Sequence, residues 1–477
     1  MAAEALAPPT PWLILPFGLL LAAIALGPLL WPAWWGRHYP KVTGGLGSVT
    51  LAYYLVGLGA WTRVGHVAQD YLSFIALVGS LYVVAGGIHI AVKGEATPGE
   101  NVAFLFLGAV FANLLGTTGA SMLLIRPWLR LNRYRVTAHH IVFFIFLVSN
   151  AGGCLTPVGD PPLFLGFLQG VPFWWVTAHC WPMWAVGVGL LLAAFWAVDT
   201  RNYRLAPRPV RTQMAEGPEQ WRVRGGRNLL FLALVLGAVF LTKPVFLREV
   251  LMLSGAVGSY LTTPPEVHAA NQFHFEPLRE VTLLFAGIFA TMIPALDWLR
   301  LHAAAATTPT PGQCYWTCGG LSSVLDNAPT YLAFLNAALG ALGHQELVRE
   351  VLRLVQAGGS GWGNLTGSSA EAARQTFATL RGLFPDHVVQ RSVTADQVQL
   401  ALLVGRASLH PYLEAISVGA VFFGAATYIG NGPNFLVKAI ADHQKVHTPG
   451  FLAYILRFTL PFLLPTLLVL WWCFFRG

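Results

Sequence analysis

Charge is what this 477-residue chain has least of: Asp, Glu, Lys and Arg together make up 10% of it, against about 25% in a soluble globular protein. That deficit excludes an ordinary water-soluble fold. The five cysteines (Cys154, Cys180, Cys314, Cys318 and Cys473) form no CxxC or zinc-ligand spacing. Cys314 and Cys318, one helical turn apart, read as small packing residues. Met1 to Pro11 holds no Lys or Arg, so it lacks the positive leader of a cleavable signal peptide. No nucleophile–base pair or metal-ligand cluster is visible, and an enzyme is not expected. The net charge of +8 is spread through short loops rather than one binding face, which points away from nucleic acid.

Apolar residues are abundant instead. They form 55% of the chain, with 17 Trp and 30 Phe, a composition suited to a lipid bilayer and its interfaces. Apolar runs near the roughly 20 residues needed to span lie at 12–35, 45–62, 71–92, 139–168, 174–197, 227–244, 247–261, 279–300, 411–441 and 451–473. The fold class expected is an all-α polytopic membrane protein with about ten transmembrane helices.

Two of these runs are broken by polar Gly/Pro sequences. The first reads Ser149-Asn-Ala-Gly-Gly-Cys-Leu-Thr-Pro-Val-Gly-Asp-Pro-Pro162, and the second Gly424-Ala-Ala-Thr-Tyr-Ile-Gly-Asn-Gly-Pro-Asn434. Upstream of each lies another apolar stretch, 101–131 and 315–342, with a polar tip at its middle. The tips are Asn113-Leu-Leu-Gly-Thr-Thr-Gly-Ala-Ser121 and Ser322-Ser-Val-Leu-Asp-Asn-Ala-Pro-Thr330. Unpaired backbone at membrane depth is tolerated only where it lines a polar cavity or is buried in protein. Paired breaks in two halves of a membrane protein mark a transporter's binding site. The stretches 101–131 and 315–342 therefore read as re-entrant hairpins. Three crossings, a hairpin, a broken helix and a crossing then occur twice, and five crossings per copy make the repeat inverted.

The organisation expected is a first repeat at 1–197, a cytoplasmic linker at 198–226 and a second repeat at 227–477. The second repeat contains a polar insertion at 343–410. With 101–131 as a hairpin, Lys93, Arg126, Arg130, Arg133, Arg135 and the linker arginines share one side, which the positive-inside rule makes cytoplasmic.

Pro157, Pro161 and Pro162 cannot continue a helical ladder, and the carbonyls they free are hard oxygen ligands of the kind sodium takes. Ser149, Asn150 and Thr156 add side-chain oxygens at the first break; Thr427, Asn431 and Asn434 do so at the second. Asn113, Thr117, Thr118, Asn327 and Thr330 come from the hairpin tips. Asp160 and Asp326 matter most, because an acid inside the membrane is a functional residue by default. Desolvation disfavours a charged carboxylate, and an acid able to hold either a proton or a cation permits their exchange. The sodium ligands expected are Asp160, Asp326, Asn150 and Asn431. The plain alternative for either acid is an N-cap on a half-helix. His139 and His140 read as interfacial packing, Glu280 and Glu414 as headgroup-facing, and Lys438 as snorkelling to the surface.

The Asn-Ala-Gly-Gly…Thr-Pro-Val-Gly-Asp-Pro-Pro break and the Leu-Asp-Asn-Ala-Pro-Thr tip resemble those of the ion transporter superfamily. They look like those of D-type sodium/proton antiporters and the closely related bacterial proteins catalogued as citrate transporters. The resemblance runs from about residue 45 to 473, with four motifs in order. It implies a homodimer in the bacterial inner membrane, with a scaffold domain at the interface and a transport domain holding the hairpins and broken helices. The superfamily's dicarboxylate importers carry Ser-Asn-Thr at both tips, whereas Gly116-Thr-Thr-Gly119 and Asp326-Asn327 stand here. The expected function is therefore sodium (or lithium)/proton antiport. The partners are the bilayer, sodium ions and protons, with no cofactor beyond the ion. The alternative is a cation-coupled citrate or dicarboxylate symporter in which Thr117, Thr118 and Thr330 hold the carboxylates. A channel is disfavoured, since inverted repeats suit alternating access.

Overall fold

The computed structural model describes residues 10–91, 96–205, 222–241, 243–302, 309–342, 345–357 and 368–476. Lys93 and most of the 198–226 linker lie outside them. The described chain is almost wholly helical. By length and composition alone, seven helices among the described residues are apolar enough to cross a membrane, Pro98–Leu131 counted as one of them, or up to eight if the bent pair Ala395–Gly405 and His410–Ala426 is one span. The expected ten were apolar runs rather than continuous helices. Asn228–Ala238 and Leu247–Thr262, of 11 and 16 residues, fall short of a full span, and the second broken helix divides into two shorter pieces.

Helix α1 (Leu15–Leu30), α2 (Pro32–Ala52) and α3 (Trp61–Gly86) pack with the helices Leu247–Thr262 and Glu276–His302 into one group. The Asp297 carboxylate helps tie it together: Arg63 meets it at 2.7 Å, and Tyr54 donates to it at 3.0 Å. Beyond α3 the strand β1 (His89–Ala91) pairs antiparallel with β2 (Arg222–Arg224). This is the one departure from an all-helical chain among the described residues. It joins the end of α3 to the end of the linker, where backbone outside a helix needs partners.

Helix α4 (Pro98–Leu131) has 34 residues and if straight would be about 50 Å long. Its two ends nevertheless touch. Asn101 Nδ2 donates to Asn132 Oδ1 at 2.8 Å, and Phe104 stacks on Trp128 with ring centroids 5.4 Å apart. The chain folds back at Gly116, whose φ of 71° and ψ of 155° suit only glycine. A second hairpin is formed by Pro311–Ser322 and Asn327–Leu342, and its first arm lies along His410–Phe423. That approach is close enough that a Cβ at Gly419 would sit 2.9 Å from the Tyr315 carbonyl oxygen.

The first broken helix consists of α5 (Ala138–Leu147), a short 3-10 turn at Ala151–Leu155 and α6 (Pro161–Leu168). The second consists of His410–Phe423, a turn at Gly424–Ala426 and Gly432–His443. Helix α7 (Trp175–Leu205) flanks the first break and Phe451–Phe475 the second. Within the insertion, Gln345–Gln356, Ser368–Leu383 and Ala395–Gly405 share a small core of their own around Val351, Ala373, Leu380 and Val398. Ala395–Gly405 also enters the main core through Leu400, Leu403 and Val404, so the end of the insertion is apolar and buried.

Candidate functional site

Asp160 stands at the N-cap position of α6, with φ −143° and ψ 143°. An aspartate there would ordinarily accept from the N–H of the second or third helical residue. Pro162 has no N–H, and Leu163 donates to the Asp160 backbone oxygen at 3.1 Å instead. The two prolines thus release the carboxylate from capping. It is 1% exposed and accepts from Thr117 Oγ1 at 2.7 Å, Asn327 Nδ2 at 2.6 Å and Asn431 Nδ2 at 3.1 Å. Those donors come from the first hairpin's tip, the second hairpin's tip and the second break. Four interrupted elements therefore converge on one carboxylate.

Asparagine amides satisfy the backbone around it. Asn431 Nδ2 also reaches Asn150 Oδ1 at 3.1 Å and the Ser149 carbonyl at 3.2 Å. Asn150 Nδ2 donates to Asn434 Oδ1 at 2.7 Å. Asn434 Nδ2 closes on the Gly424 and Thr427 carbonyls, each at 2.8 Å. At the first break Asn113 Nδ2 takes the Gly152 carbonyl at 2.7 Å, and Ser121 Oγ meets Ser149 Oγ at 2.7 Å. These bonds do for the broken helices what an intact ladder does elsewhere.

The two breaks carry one bonding pattern. Thr156 Oγ1 donates to the Asn113 carbonyl at 2.6 Å, and Thr427 Oγ1 to the Ser323 carbonyl at 2.6 Å. The Gly159 N–H then meets Thr156 Oγ1 at 3.0 Å, and the Gly430 N–H meets Thr427 Oγ1 at 3.2 Å. From the flanking helices, Thr177 donates to the Leu155 carbonyl at 2.5 Å and Thr459 to the Ala426 carbonyl at 2.7 Å. The correspondence pairs Asp160 with Asn431 and Thr117 with Asn327. Two matched tips and two matched breaks hence meet with a single acid at their centre.

Asp326 behaves differently. It is half-buried, and its Oδ1 accepts from the Ala328 N–H at 3.0 Å, the geometry of a helix cap. Thr330 Oγ1 turns back to the Asp326 carbonyl at 2.9 Å. Neither bonds to Asp160, although Asn327, next in sequence, does. Thr118 lines a small cavity with Leu77, Leu81, Val158, Phe164 and Asp160. Asn327 Oδ1 is buried with no hydrogen-bond partner. That free oxygen beside the Asp160 carboxylate is a hard donor pair of the type a small cation takes. Lys438 lies elsewhere, bound to Asp442 at 2.5 Å.

Sequence reasoning missed a second polar cluster. Asp199 of α7 is fully buried and bound by the Arg135 guanidinium, by Asn101 Nδ2 at 2.9 Å and by His139 Nε2 at 3.2 Å, with His140 Nε2 at 3.1 Å. His139, His140 and Asp199 are the one metal-like trio among the described residues. The adjoining guanidinium already neutralises the carboxylate and repels a second cation, so the cluster clamps the first hairpin's base to α7. Arg135 was legible only as a topological charge, and Asp199 fell in the linker.

A family model described as "Putative citrate transport" matches residues 7–475. The chain belongs to this family. Membership agrees with the resemblance read from the two breaks and makes the protein a transporter by family, set in a membrane by its helices. No curated protein matches the chain in sequence.

Proposed function

We propose that the protein is a secondary transporter in which sodium (or lithium) and protons compete for Asp160, and that it works as a sodium/proton antiporter by alternating access. One observation carries this reading. The Asp160 carboxylate is buried, its three bonded partners are all neutral donors, and no basic side chain bonds to it among the described residues. A buried carboxylate without a counter-charge is costly; it needs a proton or a metal cation, and exchanging one for the other is antiport.

The matched bonding at the two breaks supports an inverted repeat, with α4 and Pro311–Leu342 as hairpins entering from opposite faces and the arginine-rich loops inside. We propose a homodimer in a bacterial inner membrane, built on the group containing α1–α3. A second reading is favoured by the family match: a cation-coupled citrate symporter using the same Asp160 for the coupling ion. A multiply charged anion beside an ionised Asp160 would meet strong repulsion in low dielectric, so the carboxylate would need its bound cation first. Proteoliposomes with an internal pH dye separate the readings. External sodium pulses that alkalinise the lumen without citrate support antiport; uptake of labelled citrate, absent without a cation, supports the symporter.

A further inference from the structure

Apart from Asp160, some acids of the apolar helices hold an arginine and others, Asp70, Glu280 and Glu414 among them, do not among the described residues. Asp199, Asp297 and Glu249 each hold an arginine: Arg135, Arg63 at 2.7 Å and Arg248 at 2.9 Å respectively. Asp70 of α3 holds none among the described residues. It is half-buried, and its one hydrogen bond is a long one, from Gln169 Nε2 at 3.3 Å. Arg63 and Arg248 are its charged neighbours, and both are committed to other carboxylates. Gln169 Oε1 in turn accepts from Arg300 at 3.3 Å, and Arg300 is paired with Asp396. Asp70, Asp297, Glu249 and Asp396 thus share three arginines, Arg63, Arg248 and Arg300, and Asp70 is the acid of the four without an ion pair.

Position gives that charge a meaning. Leu77 and Leu81 line the cavity beside Asp160, and they follow Asp70 by seven and eleven residues, on the same helical face. Asp70 is therefore about 10 Å further along α3 than Leu77. On the opposing element, Asp160 stands at the inner end of α6 and Gln169 at its other end. The seam between α3 and α6 thus has Asp160 near its floor and Asp70 with Gln169 further along it, with the apolar side chains of Leu77 and Phe164 lining the stretch between.

We infer that Asp70 is an outer binding station for the transported cation, steadied by Gln169, on the seam between α3 and α6 that leads to Asp160. The inference rests on the cation-coupled reading of Asp160. A cation entering from the Gln169 side, the exterior in the proposed orientation, pairs with Asp70 while the apolar stretch is closed. It passes to Asp160 when α3 and α6 separate. Removing the station slows capture from that side alone and leaves the Asp160 centre intact.

The test uses oriented proteoliposomes of the full chain, with sodium as the probe supplied on one side at a time and proton flux as the readout. For Asp70→Asn, the apparent sodium affinity on the Gln169 side should fall by about tenfold or more, with the maximal rate and the opposite side's affinity within about twofold of wild type. Asp70→Glu should restore most of the loss, and sodium should still raise the melting temperature of the purified variant. Asp70→Ser reads the same loss should the Asn protein be poorly folded. Unchanged affinity on both sides, or an equal fall on both, would overturn the outer station. Absence of sodium-dependent proton flux in the wild-type protein would instead overturn the underlying reading of Asp160.

Discussion

Asn431 donates to Asp160 across 3.1 Å, and the two residues occupy equivalent positions in the two breaks, each the N-cap of its half-helix. The site is built from two similar halves yet keeps its charge on one of them. Thr117 and Asn327, also equivalent, both donate to that same carboxylate. A symmetric pair of carboxylates at this distance would repel strongly; an acid facing an amide gives a carboxylate held by neutral donors instead.

Asp160→Asn keeps the shape and removes the charge. Flux should fall by more than about a hundredfold in proteoliposomes, roughly 2.7 kcal/mol or more, while the protein still elutes as a folded species on size exclusion. Asp160→Glu retains a carboxylate but lengthens its reach, and partial activity with a displaced pH optimum is expected.

Asn431→Asp tests the asymmetry from the other side. Two carboxylates would then share the buried centre, at a cost of several kcal/mol unless one is protonated or a cation bridges them. The variant should melt at a lower temperature than wild type in sodium-free buffer at neutral pH, and recover on acidification or on adding sodium. Equal stability under all three conditions would show that these positions do not share one electrostatic site.

Asp326→Asn should be the milder change. Asparagine caps a helix about as well as aspartate, and the Asp326 side chain contacts the Ala328 N–H rather than Asp160. Folding should be preserved and sodium-dependent flux should drop by less than about tenfold, measured beside Asp160→Asn in one preparation. A loss as deep as that of Asp160→Asn would give Asp326 an ion-binding role that its capping bond does not reveal.

Topology is open to cysteine labelling. Arg130 and Gln345 are both exposed, one at the base of the first hairpin and the other just past the second. In a background lacking the native Cys473, the exposed native cysteine, Arg130→Cys should react from the cytoplasm and Gln345→Cys from outside. Reaction of both from one face would remove the inverted orientation.

Much of the site was legible because backbone interruption at membrane depth is so restricted. Gly116, Pro161 and Pro162 announce where helices cannot continue, and Asn113, Thr156, Asn150, Asn431 and Asn434 are the side chains that must then satisfy the freed groups. The different roles of the two acids were not legible. Both Asp160 and Asp326 sit before a half-helix, and the difference lies in whether the following residues offer N–H groups: Ala328 does, and Pro162 cannot. Asp70 and Asp199 were missed because sequence does not say which buried acid meets an arginine from a distant helix. The available hint at Asp70 was its alignment with Leu77 and Leu81 on one face of α3. Apolar content marks membrane depth, whereas broken and short helices divide that depth among several pieces, so the ten apolar runs are not ten continuous helices.

Sodium binding at Asp160 is tested most directly by thermal denaturation of the purified protein, since a ligand that binds only the folded state raises its melting temperature in a dose-dependent way. The expected result is a saturable sodium shift, requiring more sodium at lower pH because protons compete for the same carboxylate, and absent in Asp160→Asn. Citrate in sodium-free buffer should give no shift. A saturable citrate shift without sodium, or a sodium shift that survives Asp160→Asn, would contradict the account.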